Sequence, residues 1–348
     1  SVFEITLLFC LPLVGMLADR TSARVLILAG LAVYPLVGLS YWLAGMTGFA
    51  LFIVAARFTN AIGWALESTG VDTYYRRLAP GDRVASAFGF IDTLAEGGWM
   101  VAAFVGIALI VFVPVHYLLF LIAPTSVIAF FIVRRAPRDH VPKEKTEQDS
   151  LASSYRLTLA QWREWGGELR LLGVLVFFMG LIEALIWFFL PIDAYLEGAS
   201  LIMVILITVV AATPVLFGYT IGRVADHSNK FALVAFGLLC VAAVLSMLAL
   251  FPQYGFKLAA SFLLGLILEL FVVVQKSLVT TLGPAATYGL RGGAFSSIGD
   301  LGDIAAPLLL GVALDMIGFP SITIIIAWAA IALSFGFSAL GFRRHQAR

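Results

Sequence analysis

The chain has 348 residues, of which 61% are hydrophobic and only 12% charged, with a net charge of +1. Soluble domains carry about 25% charged residues, so a soluble globular domain, a disordered chain and a nucleic-acid binder are excluded. The mean hydropathy of +1.01 points to a polytopic membrane protein. Cys10 and Cys240 fall in apolar runs, and His116, His140, His227 and His345 are scattered. No disulfide framework, metal site or cofactor is therefore expected.

A membrane-spanning helix needs about 20 mainly apolar residues. Eleven such segments follow one another near 2–18, 25–43, 49–73, 84–112, 115–133, 169–192, 200–222, 231–250, 256–282, 290–314 and 319–342. Strand-type alternation is absent, so the fold class is all-α and not a β-barrel. The long polar stretch at 134–168 divides the chain into two helix bundles, 1–133 and 169–348. Within it Leu151, Tyr155, Leu159, Trp162 and Trp165 recur at spacings of three and four, with Arg156, Arg163, Glu164 and Glu168 largely on other faces. This pattern predicts an amphipathic helix at the membrane surface; the alternative is a plain solvated linker.

Basic residues set the orientation. Arg20, Arg24, Arg76, Arg77, Arg83, Arg134, Arg135, Arg223, Lys230, Arg343 and Arg344 lie in alternate loops, the linker and the tail, whereas the opposite loops hold only Lys257. The linker and the C-terminus are therefore expected to be cytoplasmic.

The two halves are similar to each other. Gly15-Met-Leu-Ala-Asp19 recurs as Gly222-Arg-Val-Ala-Asp226, and the same offset carries Ala87-Phe88 onto Ala294-Phe295 and Glu96 onto Asp303. Such repeats are the mark of transporters built from two similar bundles. The span near 169–192 has no counterpart in the first half, and the chain begins with Ser. A first helix is therefore expected to be missing from this sequence, the whole architecture being six plus six.

Gly15-Met-Leu-Ala-Asp19-Arg20-Thr-Ser-Ala-Arg24 resembles the loop motif of the major facilitator superfamily, with Ser22 and Ala23 as departures. Gly222 to Lys230 is similar to its weaker second copy, and Arg57-Phe-Thr-Asn60-Ala-Ile-Gly63 resembles a second family stretch. The resemblance implies alternating access by rocking of two bundles about a midplane cavity. That cavity is lined in the family by helices corresponding here to 49–73, 169–192, 256–282 and the missing one. It also implies a cytoplasmic gate involving Gly15, Asp19, Arg20, Arg24 and Asp226. The alternative is that this basic loop only fixes topology.

Charges inside a bilayer cost at least about 2.5–3.5 kcal/mol each, which makes them functional candidates. Glu96, Glu183, Glu269 and Asp303 fall near mid-span, as does Arg57, while Glu67 lies nearer the cytoplasmic end. Glu183 and Glu269 are the preferred proton-coupling or substrate residues, on helices that line the cavity by resemblance. The competing reading pairs Glu269 structurally with Arg57 or Lys276. Trp187 beside Glu183, and Trp64 beside Glu67, suit an aromatic cavity for a cationic or aromatic solute. Asp92 shares a helix face with Glu96, and Asp300 with Asp303. Asp72 with Arg76 and Arg77 reads as a structural cluster.

No nucleotide-binding loop or catalytic triad spacing occurs, so an enzyme is not expected. The sequence predicts a proton-coupled secondary transporter of a small solute, multi-pass in the plasma (inner) membrane. The alternative is a non-transporting relative, an accessory or assembly subunit that binds a pigment, lipid or partner protein.

Overall fold

The structure, a computed structural model, describes residues 2–79, 81–110, 112–139, 165–283 and 287–346, without the side chains of 107 and 343–346. The predicted surface helix of the linker lies outside these residues except from Trp165 onward. Among the described residues, eleven helices are long and apolar enough to cross a membrane: α1 Val2–Arg20, α2 Ala23–Thr47, α3 Ala50–Leu78, α4 Val84–Ile110, α5 Val115–Val133, α6 Gly167–Leu196, α7 Leu201–Asp226, α8 Lys230–Leu250, α9 Tyr254–Thr281, α10 Tyr288–Ile317 and α11 Phe319–Phe342. They match the expected spans in number and order, and no strand occurs among the described residues. Helices are what the composition demands, because a backbone in hydrocarbon must satisfy its N–H and C=O groups within the segment. Met316 and Leu196, each 78% exposed, are side chains that lipid solvates and water would not.

The connections at one end are shorter than the sequence suggests. α1 runs through Arg20, α3 through Arg76 and Arg77, and α7 through Arg223 and Asp226. These cations occupy last helical turns, where the partial negative charge of the helix C-terminus favours them.

Two compact units make up the chain. The first comprises Ser1–Ala79, Gly98–Glu164 and Val279–Asp300; the second comprises Pro80–Gly97, Trp165–Leu278 and Leu301–Arg348. The opening turns of α4 thus belong to the second unit, and those of α10 to the first. In the first unit Leu7, Leu11 and Val14 of α1 pack on Ala61 and Ala65 of α3. In the second, Leu175 and Ile182 of α6, Val241 and Leu245 of α8 and Phe271 of α9 are fully buried.

Three interruptions break the regular helices. α6 changes to a π-helix over Leu185–Phe189, where Leu190 N–H bonds to Leu185 O. Pro191 follows, and its missing N–H weakens the regular ladder at that point. α7 tightens to a 3₁₀ stretch over Thr213–Phe217, with Pro214 in its first turn. α10 ends at Gly318, whose φ of 77° and ψ of 163° break the helix in a conformation open to glycine and to few other residues, and Pro320 falls in the first turn of α11.

Candidate functional site

The repeated Gly-x-x-x-Asp motif forms a packing contact and a cap one turn apart. Gly15 of α1 lies directly against Gly289 and Gly293 of α10, and a Cβ there would overlap the Gly289 carbonyl. With the backbones this close, Asp19 reaches the first turn of α10. It accepts hydrogen bonds from the N–H groups of Gly289 at 2.6 Å and Leu290 at 2.8 Å. Those are two of the four donors that a helix start leaves unpaired, and the positive end of the helix favours the carboxylate.

The second copy repeats this within the other unit. Gly222 of α7 lies against the backbone of Ala85 and Ser86 in α4. Asp226, four residues on, accepts from the N–H groups of Ala85 and Ser86, each at 2.9 Å. The spacing of four puts both motif residues on one helix face, so the glycine sets the approach and the aspartate uses it.

Around Asp19 stand two buried arginines. Arg76 pairs with Asp72 at 3.6 Å and donates to Tyr288 O at 3.0 Å, while the Arg291 guanidinium lies 5.4 Å from the Tyr288 ring centroid. Asp72 and Arg76, expected to form a structural cluster, are thus an ion pair one turn apart on α3. Arg77 instead pairs with Asp139 and donates to Ala18 O at 2.7 Å. Arg24 donates to Ala136 O, and Arg20 is half-buried.

A second constellation lies inside the second unit, where α4, α7 and α9 meet. Lys276 Nζ of α9 donates to Asp92 Oδ1 of α4 at 2.7 Å and lies 5.9 Å from the Phe88 ring centroid. Glu269, two turns earlier on α9, is 4% exposed and in electrostatic range of Asp92, Lys276 and Glu96. Its Oε1 is buried and makes no hydrogen bond among the described residues. That oxygen lies against Gly218 of α7. Thr93 Oγ1, also against Gly218, is 2.8 Å from Gly89 O and 3.0 Å from Val215 O in the 3₁₀ stretch. Three carboxyl groups here face one ammonium.

The other candidates are dispersed. Glu183 is half-buried immediately before the π-helical turn, and Trp187 is half-buried within it. Asp303 packs its Oδ1 against Gly180 of α6; its repeat mate Glu96 belongs instead to the Lys276 group. Arg57 is exposed with its guanidinium 6.0 Å from the Phe3 ring centroid, so the basic group beside Glu269 is Lys276. Glu67 accepts from Tyr34 Oη at 3.4 Å, and Trp64 is exposed.

Two groups were not foreseen. Asp139, six residues beyond α5, accepts from Ser22 Oγ and from the N–H groups of Ala23 at 2.9 Å and Arg24 at 3.3 Å, besides Arg77. It caps α2 through space. Burial alone would raise its pKa, but the bonds from Ser22, Ala23, Arg77 and Arg24 outweigh that and lower it to about 2. Within the second unit, Lys257 is 1% exposed and pairs with Asp193 and Glu197, each at 2.6 Å. In the sequence these were one linker acid and one isolated loop lysine, with no spacing to connect them to partners.

Apolar helices in two units, a repeated helix-end cap and charges kept within the spans define an integral multi-pass membrane protein of the secondary-transporter class. The chain belongs to the Major Facilitator Superfamily, whose profile matches residues 1–307; this is a family of transporters, not of enzymes. Among curated proteins, none matches the chain by sequence. Solved structures with the same fold include the Escherichia coli fucose:proton symporter FucP (TM-score 0.79, 17% identity, covering 98% of this chain and 90% of that one). Others are the human organic anion transporter MFSD10 (TM-score 0.80, 17% identity, 96% and 82%) and a bacterial homologue of the iron transporter ferroportin (TM-score 0.76, 14% identity, 97% and 89%).

Proposed function

We propose that the protein is a proton-coupled transporter that moves a small solute by alternating access of the bundles 1–133 and 169–348 in the plasma (inner) membrane, its basic helix ends and C-terminus cytoplasmic. The observation that carries the coupling is the buried Glu269 carboxyl, with one oxygen unbonded among the described residues, in a group where it and the carboxyls of Asp92 and Glu96 interact with the cation Lys276. With all three carboxyls ionised this group of four holds more negative than positive charge, at a depth where uncompensated charge is costly. Uptake of one proton reduces the cost, and its release restores it. A group that trades a proton against a conformational change needs this imbalance. Glu183, at the π-helical turn of α6, is the second coupling or substrate residue, since π-turns gather at functional sites. Two fold neighbours are described as proton symporters, for fucose and for xylose, which supports the same driving force here.

Asp19 and Asp226 serve as latches in this reading, each holding a helix start that must be released or kept as the carrier reorients. The test uses proteoliposomes loaded with a pH dye and a panel of sugars and organic anions, the solutes of the fold neighbours. Wild type is expected to couple solute entry to proton entry and to accumulate solute against its gradient. Glu269→Gln, a permanent mimic of the protonated form, is expected to exchange solute across the membrane and to lose accumulation. Accumulation at the wild-type level by both Glu269→Gln and Glu183→Gln would overturn the coupling assignment.

A further inference from the structure

The second unit carries a groove that neither the latches nor the carboxyl group uses. It has a volume of about 470 Å³ and runs between α7, α8 and α9, where Val224, Leu233, Phe236, Cys240, Ala243 and Leu263 are among its apolar lining. Phe236 and Val224 are more than half exposed, so the groove opens outward within the unit. Along α8 the lining extends from Leu233 to Val244, a rise of about 16 Å. That is about half of a hydrocarbon core of roughly 30 Å, the depth of a single leaflet. The groove starts at the basic end of the helices and stops near mid-span.

Its mouth is charged. Lys230 lies one turn before Leu233 on the lining face of α8. Arg223 adjoins Val224 at the end of α7, and His227 follows one turn after Val224. Neither the Lys230 ammonium nor the Arg223 guanidinium forms a hydrogen bond or ion pair among the described residues. The acid beside them, Asp226, is turned into the first turn of α4 and bonded there by two N–H groups.

We propose that this groove is a binding site for one anionic phospholipid, with an acyl chain along α8 and its phosphate between Arg223 and Lys230. Depth selects a leaflet, apolar lining selects a hydrocarbon chain, and the two cations, with Asp226 engaged by the α4 N–H groups, select an acidic headgroup. Basic residues at a membrane surface each attract anionic lipid, and here they sit directly above a slot for the tail. The site would tie the lipid to α7 and α8, the helices that flank the second latch.

Native mass spectrometry of the purified protein tests this, with dioleoyl phosphatidylglycerol and dioleoyl phosphatidylcholine added in turn. Wild type is expected to hold one phosphatidylglycerol roughly tenfold more tightly than phosphatidylcholine. The double variant Arg223→Gln/Lys230→Gln should erase that preference. Ala243→Trp, which fills the exposed inner end of the slot near mid-span, should weaken both lipids, while Ile325→Trp on the exposed face of α11, away from the lining, should change neither. Glycerol 3-phosphate, which has the charge without tails, should not compete. Equal binding of the two lipids by wild type, undiminished phosphatidylglycerol binding by Ala243→Trp, an equal loss with Ile325→Trp, or competition by glycerol 3-phosphate would each overturn the proposal.

Discussion

Asp92 and Lys276 form a pair set within a larger acidic group, and the balance among these side chains is testable one residue at a time. Removing one partner of a semi-buried pair leaves a charge uncompensated. Lys276→Gln is therefore expected to lower thermal stability by about 2 kcal/mol, and the double variant Asp92→Asn/Lys276→Gln to regain a large part of it in scanning fluorimetry. If the double variant is as unstable as the single, the two side chains do not act together. Asp19→Asn keeps the shape of the cap and removes its charge. It is expected to slow solute exchange in proteoliposomes at normal expression, and unchanged exchange would remove the latch role. Gly15, Asp19 and Glu269 were legible in the sequence, because a motif or a high insertion cost singles each of them out. Asp139 was not: a carboxylate in a polar linker looks solvated, and its partners lie 116 positions away at Ala23. Nor was the choice between Arg57 and Lys276 as partner to Glu269, which depends on how three helices pack.

At the scale of helices, the sequence gives span order well and helix ends less well. Hydropathy falls wherever Arg appears, so Arg76, Arg77 and Arg223 read as loop, whereas the helices carry these cations in their last turns. The π-turn in α6 leaves no hydropathy signal either, since Leu185–Phe189 is apolar whichever hydrogen-bond register it adopts. The start of α2 makes a quantitative case. Ser22 makes no side-chain cap bond to its own helix, and Asp139 supplies the missing acceptor. Its pKa is about 2 in the folded protein against about 3.9 unfolded. The sign follows: this stabilisation is fully present above about pH 4, and it is lost as pH falls from there through 2. After allowance for solvent screening it amounts to about 1–2 kcal/mol. Between pH 6 and pH 3 the melting temperature of wild type should therefore fall more steeply than that of Asp139→Asn, which starts lower. Parallel slopes would show that Asp139 does not hold the helix start.

For the whole molecule, the orientation rests on where the cations lie. In a background with Cys10→Ser and Cys240→Ser, an impermeant maleimide added to intact cells should label Phe112→Cys, at an end with few cations, and spare Asp82→Cys beside Arg83. Labelling of the second and protection of the first would invert the topology. The two-bundle architecture was legible from the repeat, because one offset aligns Gly15 with Gly222 and Asp19 with Asp226. The compact units, which exchange the opening turns of α4 and α10, were not, since an internal repeat tells which helices are equivalent and not which ones touch.

The capping aspartates also set a timetable for synthesis. Asp19 is separated from the N–H groups it caps by 270 and 271 positions, Asp226 by 141 and 140, and Asp139 by 116 and 115. At about 5–20 residues per second a ribosome needs roughly 14–54 s to span the longest interval. During that interval α1 stands in the bilayer with an uncapped carboxylate and a bare glycine face. The start of α2 is completed first, that of α4 next and that of α10 last. A nascent chain stopped after α9 would present the exposed Gly15–Asp19 face to the quality-control proteases of the membrane, and the arrival of α10 would remove it.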